Sequence, residues 1–234
     1  MTRRTALAVG VGLAMLLPAL AFATDLQDNW SGYAQHNGPA PGVYANNLPY
    51  QVHAILNSPL GQPNPWSPWY PWQAGYEYTV VIDAIIVTYN GLPYPWVPGV
   101  NGSETADFNV ASVSIYEDNT TPADYANPGT FTDGTLVLSG VIQNMIGEHT
   151  VYWVGGNLIN LPWNISGVVV FTGGTGIGNL NSQCSGGLVV NDFINFFIGT
   201  PPAGYQESYD IQWICPEATD VQETTWGAVK GLYR

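Results

Sequence analysis

The side chains able to do acid–base chemistry are few and scattered. Three histidines, His36, His53 and His149, stand far apart and form no zinc-protease or Cys-His spacing. Glu77, Asp83, Glu117, Glu148, Asp192, Glu207 and Asp210 fall on or beside segments that read as strands. A glycosidase needs two such acids facing each other across a cleft. An acid inside an apolar run, such as Asp83 in "VVIDAIIV", is a natural candidate for that role. An Asp at a strand edge, satisfied by backbone donors, explains the same pattern, and the spacing selects no pair. No Gly-x-Ser-x-Gly elbow is present, so a triad of the α/β-hydrolase kind has no support. "GGTGIGN" (173–179) lacks the lysine of a phosphate loop and reads as a turn.

Two further groups have chemistry of another kind. Trp66, Trp69 and Trp72 lie in "NPWSPWYPW", where proline stiffens the backbone. Indoles presented this way can stack on sugar rings, or they can close the open end of a β core. The loop "YEDNTTPADYANPGTFTDG" offers hard oxygens from Asp118, Asp124 and Asp133 as candidate calcium ligands. Its spacing is not that of an EF-hand, and Asp and Asn are ordinary turn formers. No other cofactor is expected.

Charge narrows the partners. The 234-residue chain has 4 Lys and Arg against 17 Asp and Glu. Residues 1–23 read as an export signal: Arg3 and Arg4, an apolar stretch, then Ala21-Phe22-Ala23 as the cleavage pattern. Removing that segment leaves only Lys230 and Arg234 against all 17 acids, a net charge of −15. From Thr24 to Val229 there is no Lys or Arg. Nucleic acid is excluded as a partner, because phosphate neutralisation needs clustered bases. Anionic lipid surfaces and Arg-read phosphate or sulfate groups are excluded for the same reason. No apolar run after the signal is long enough for a membrane span. A neutral polysaccharide, a protein surface or a second copy of the chain remains. The shortage of bases suits life in acid, where positive charges would otherwise repel one another. Cys184 and Cys215, an even pair in an exported chain, are expected to form a disulfide.

The elements that must position these residues read as strands. The chain has 27 Gly and 18 Pro, with apolar β-branched runs between them and no helical period. Residues 25–75 read as irregular and Pro/Trp-rich, except for "YQVHAIL" (50–56). Strands are expected over 76–91, 107–118, 135–146, 148–156, 167–174, 187–199 and 207–217. A break or bulge is expected at Gly140. In 107–118, alternation puts Phe108, Val110, Ser112 and Ser114 on one face, Val113 and Ile115 on the other. This predicts an all-β antiparallel sandwich, jelly-roll or Greek-key, forming one domain over 24–234.

Two segments resemble known families. "SIYEDNTTPADYANPGTFTDGTLVLSG" (114–140) is similar to a segment of exported bacterial surface and matrix proteins of unknown activity. That resemblance implies an extracellular β-sandwich. "NWSGYA" (29–34) resembles the start of the mature domain in glutamic peptidases of the eqolisin type. That second resemblance implies an acid-acting peptidase with a Gln/Glu dyad, here Glu148 with Gln51 or Gln73. The reading carried forward is a secreted or cell-surface structural or binding protein, able to self-assemble or contact carbohydrate. An acid-acting hydrolase is the alternative.

Overall fold

The structure, a computed structural model, describes residues 26–38, 43–56, 73, 75–160, 163–180, 188–195 and 201–215. The expected leader, Trp66, Trp69, Trp72, Cys184 and the C-terminal tail lie outside the described residues. Ten strands follow in order: β1 (Leu26–His36), β2 (Leu48–Leu56), β3 (Glu77–Ile86), β4 (Thr88–Asn90), β5 (Gly102–Asp118), β6 (Thr135–Val154), β7 (Asn157–Asn160), β8 (Trp163–Gly173), β9 (Leu188–Asn195) and β10 (Glu207–Cys215). Every pairing is antiparallel, and all ten strands belong to one sheet.

The all-β antiparallel class holds, but the two packed sheets of the expected sandwich are not what the pairing forms. β1 pairs with β2, β2 with β3, β3 with β5, and β5 with β6. β6 then pairs with β8, β8 with β9, β9 with β10, and β10 with β1 again. Eight strands thus make a closed up-and-down circuit, with β4 and β7 added as short outer strands. Periodicity alone cannot separate this from a sandwich, since both alternate apolar-in and polar-out. What decides it is reach: β5 (17 residues) and β6 (20 residues) are long enough to pair along both edges.

An eight-stranded ring has an interior that side chains can just fill. Here Trp30, Trp163, Trp213, Tyr50, Phe108, Ile82, Ile115, Leu138 and Ile142 fill it. Outward positions carry Ser31, Gln35, Gln51, Asp83, Ser112, Glu148, Asn164 and Ser166. Ile85, Val110 and Ile146 are exposed among them. Among the described residues no helix is long and apolar enough to cross a membrane.

β1 corrects the irregular reading of residues 25–75. Its inward positions are Trp30, Gly32, Ala34 and His36, so small residues blur the alternation. Gly32 is required by contact: a Cβ there would sit 2.1 Å from the His53 carbonyl oxygen and 2.4 Å from the Ala54 Cβ.

The second correction concerns phase. β5 and β6 each carry an asparagine with positive φ, Asn109 (55°) and Asn144 (52°), and the β5–β6 register shifts beside both. These opposed bulges swap inside for outside along both strands. On β5, Ala111, Val113 and Ile115 face in, yet so do Phe108, Ala106 and Glu104. Phe108 therefore shares a face with Val113 and Ile115, not with Val110 and Ser112. On β6, Leu138 and Ile142 face in, followed by Met145, Val151 and His149. The expected break at Gly140 is present as a register shift, but 135–146 and 148–156 run on as one strand.

A left-handed backbone costs a branched residue about 1–2 kcal/mol more than it costs Asn or Gly. Asn144→Val is therefore expected to lower unfolding free energy by about that amount. Asn144→Gly is expected to be close to neutral, both measured by urea unfolding.

Candidate functional site

One end of the ring gathers the acids and imidazoles that the sequence scatters. β1 ends there at His36, β10 begins at Glu207, β5 brings Glu104 and β6 brings His149. The bulges decide which residues arrive. Without them, the phase of Ile142 would carry Glu148 inward and leave His149 outside; with them, His149 is buried and Glu148 exposed.

Glu207 is fully buried and accepts from three donors. His36 Nε2 lies 3.0 Å from its Oε1, and the hydroxyls of Tyr44 and Tyr50 donate to Oε2 at 3.0 Å each. The Gly38 N–H donates to His36 Nδ1 at 2.9 Å. That bond makes Nδ1 the acceptor, so the proton sits on Nε2 and points at the carboxylate. Tyr44 comes from the β1–β2 connection and reaches into the ring. Its phenol is held well above the usual value by burial first, then by the charge of Glu207 and the neighbouring Tyr209, so it remains a donor.

Glu104 repeats the arrangement with other donors. His149 Nδ1 lies 2.7 Å from Oε2. The Tyr89 hydroxyl and the Leu92 N–H donate to Oε1 at 3.0 Å, and Trp96 Nε1 donates at 3.2 Å. Leu92 and Trp96 belong to the β4–β5 loop, which folds over this end. Burial alone would raise the Glu104 pKa; the bonds from His149, Trp96, Leu92 and Tyr89 outweigh it and hold the carboxyl below its ordinary value. Burial, and then Glu104 itself, push the Tyr89 phenol far up, so it too stays a donor.

The two centres are joined by stacked rings. Trp163 lies over His149 with centroids 4.9 Å apart at 17°, and Tyr44 packs on Trp163 at 4.8 Å. Both carboxylates and both imidazoles have fully buried side chains. Sealed from water and bonded to several donors each, the two carboxylates hold charge and geometry at this end of the ring.

A second, open arrangement lies outside the ring on the same end. Gln35, Gln51 and Asp83 are register partners across β1, β2 and β3. Gln35 Nε2 donates to Gln51 Oε1, and Gln51 Nε2 donates to Asp83 Oδ1. They line a groove of about 370 Å³ with Asn37, Pro49 and Gly204. Beside it, His53 is buried under Tyr205 and Phe131, with the Tyr205 hydroxyl 3.1 Å from Nδ1. Burial lowers the His53 pKa, opposed by Asp83.

The residues singled out from sequence are placed as follows. Gln51 is in the groove, bonded to Asp83 rather than to Glu148. β3 and β5 stand between Gln51 on β2 and Glu148 on β6. Gln73 is exposed, and its N–H donates to the Tyr78 hydroxyl. Asp118 accepts from the Thr120 hydroxyl and N–H and from the Thr121 N–H, which hold its pKa down. Asp124 accepts from the Ala126 N–H, and Asp133 is exposed at a turn. Among the described residues no three His, Cys, Asp or Glu side chains gather to hold a metal. Cys215 ends β10, and its expected partner lies outside the described residues. Glu207 is among the acids that the sequence puts on or beside strands; Glu104 is not, because "LPYPWVPGVNGSETA" reads as loop. Compared with protein-family models, curated proteins and solved structures, the chain has no match.

Removing one partner of a buried, hydrogen-bonded pair costs about 3–5 kcal/mol. Glu104→Ala and Glu207→Ala are each expected to lose that much by urea unfolding, against less than about 0.5 kcal/mol for the exposed Glu148→Gln. The pH dependence has a definite sign. Folding depresses the Glu104 and His53 pKa values, so each contributes stability above its ordinary value, 4.5 and 6.5 respectively. Each contribution is lost as pH falls through the lower folded-state value. Unfolding free energy measured against pH is expected to fall in two stages on the acid side. His53→Asn should flatten the upper stage and Glu104→Gln the lower.

Proposed function

We propose that this chain is an exported, acidic, non-catalytic protein of the cell surface or extracellular matrix, working as a binding or structural unit. In this reading residues 1–23 are removed and Cys184 and Cys215 are joined. The observation that carries it is the state of the buried acids: Glu104 and Glu207 are sealed and fully occupied by their own fold. Outside, Asp118 accepts from Thr120 in the loop that follows it, and Glu117 accepts from the Tyr78 hydroxyl on the neighbouring β3. The exterior is polar and acidic, with no Lys or Arg between residues 24 and 229, which suits a ligand without negative charge. Among the described residues the closed circuit leaves only the short β4 and β7 as outer strands, which limits strand-to-strand assembly.

One observation favours a second reading, an acid-acting hydrolase. Gln51 and Asp83 put an amide against a carboxylate in an open groove, the pairing that a water-activating carboxylate and an oxyanion donor require. In that reading Asp83 takes the place first given to Glu148. Against it, the Gln51 oxygen already accepts from Gln35 and one of its two N–H groups already donates to Asp83, so the amide is held in the row and only one N–H is left for an oxyanion.

The test is incubation of the purified protein, residues 24–234, with proteins and polysaccharides from about pH 2 to 7, the range over which carboxylates change roles. No turnover is expected. Turnover at acid pH that disappears in Asp83→Asn would overturn the non-catalytic reading.

A further inference from the structure

The row Gln35–Gln51–Asp83 lies where a solvated sheet face ordinarily carries short or branched side chains. The three side chains are neighbours across three adjacent strands, spaced by the strand separation of about 4.8 Å. Their hydrogen bonds run in one direction, Gln35 to Gln51 to Asp83. The inventory of each group then fixes what remains to offer a ligand. Gln35 and Gln51 each keep one amide N–H. Gln35 keeps its oxygen, Gln51 keeps one lone pair, and Asp83 keeps its outer oxygen. Donors and acceptors therefore alternate along the groove floor.

That surface discriminates by chemistry. An anionic ligand meets no cation, since residues 24–229 hold no Lys or Arg, and it meets Asp83 as a like charge. A purely apolar ligand would strip water from the amides without replacing their hydrogen bonds. Hydroxyl groups both donate and accept, so a row of vicinal hydroxyls satisfies alternating amide and carboxylate sites. Pro49 in the groove wall and the mutual bonds of the row restrict its motion before binding, which lowers the ordering cost. Just beyond Asp83 the surface turns apolar, through Ala84, Ile85, Val87, Val110 and Val141 around a second hollow of about 560 Å³. The carbon face of a ring can lie there while its hydroxyls reach the row.

We propose that the Gln35–Gln51–Asp83 groove is a binding site for a neutral, hydroxyl-rich glycan chain. This deepens the binding reading given above and rests on it. It also moves sugar contact from the Trp66–Trp69–Trp72 cluster to the outer face of β1–β3.

The experiment is titration calorimetry on residues 24–234 with neutral oligosaccharides: hexamers of β-1,4-linked glucose, of α-1,4-linked glucose and of mannose. A sulfated glucan and an oligolysine peptide are run beside them. At least one neutral oligosaccharide is expected to bind. Gln51→Ala and Asp83→Ala should each weaken it about tenfold or more. Both positions face solvent, so unchanged circular dichroism and melting temperature confirm that the variants are folded. A triple Trp66→Ala, Trp69→Ala, Trp72→Ala variant should bind as the parent does. Binding lost in the tryptophan variant and kept in the groove variants overturns this site while leaving the binding reading standing. Binding of oligolysine or sulfated glucan alone, or of none of the probes, overturns it as well. Hydrolysis of the oligosaccharide overturns the non-catalytic reading instead.

Discussion

Two carboxylates are buried in a folded body that has no lysine or arginine to neutralise them. Everything at one end of the ring follows from that constraint. Burying an unpaired carboxylate is prohibitive, so each acid must collect neutral donors and one imidazole. Glu207 takes two tyrosines and His36; Glu104 takes a tyrosine, an indole, a backbone N–H and His149. The donors come from separate parts of the chain, so satisfying the acids ties six strands (β1, β2, β4, β5, β6 and β10) and two connections together. A half-satisfied network would be worse than an apolar core. This one pins the β1–β2 connection and the β4–β5 loop over the end of the ring.

The pinning reaches the outer surface. His36 faces inward from β1 while its sequence neighbour Gln35 faces outward; Tyr50 and Gln51 stand in the same relation on β2. The strands that hold the buried Glu207 centre therefore hold the open amide row, back to back through one layer of backbone. Rigidity inside fixes the spacing outside. The loop after β5 adds a second clamp. Phe131 lies against His53, its carbonyl accepts from the Thr79 hydroxyl, and the Tyr125 hydroxyl donates to the Ser31 carbonyl.

The chemistry also reconciles two demands on an acidic chain. With almost no bases, little positive charge accumulates when carboxylates protonate. The acid held below its usual pKa, Glu104, keeps its bonds further into acid than a free carboxylate would. Protection ends when that group finally protonates, because an anion's four donors cannot all be served by a neutral acid.

Much was legible along the chain. Alternating β-branched runs separated by Gly, Pro and Asn are strands because no other element buries period-two apolar residues, and β2, β3, β8, β9 and β10 fall where that rule puts them. Asp83 stood out as an acid in an apolar strand, and it is the exposed member of the amide row. β1 was hidden because Gly32 and Ala34 carry little hydrophobic signal, although their smallness is demanded by close contact with β2. The net charge and the exclusion of polyanionic partners need only the sequence, since charge is a sum over residues and does not depend on where they lie. Which acids are buried does depend on it. A single extra residue at Asn109 and at Asn144 exchanges the two faces of a strand. Local propensity is nearly blind to that exchange, so only the opposed bulges of the paired strands turned Glu104 and His149 inward and left Glu148 in water.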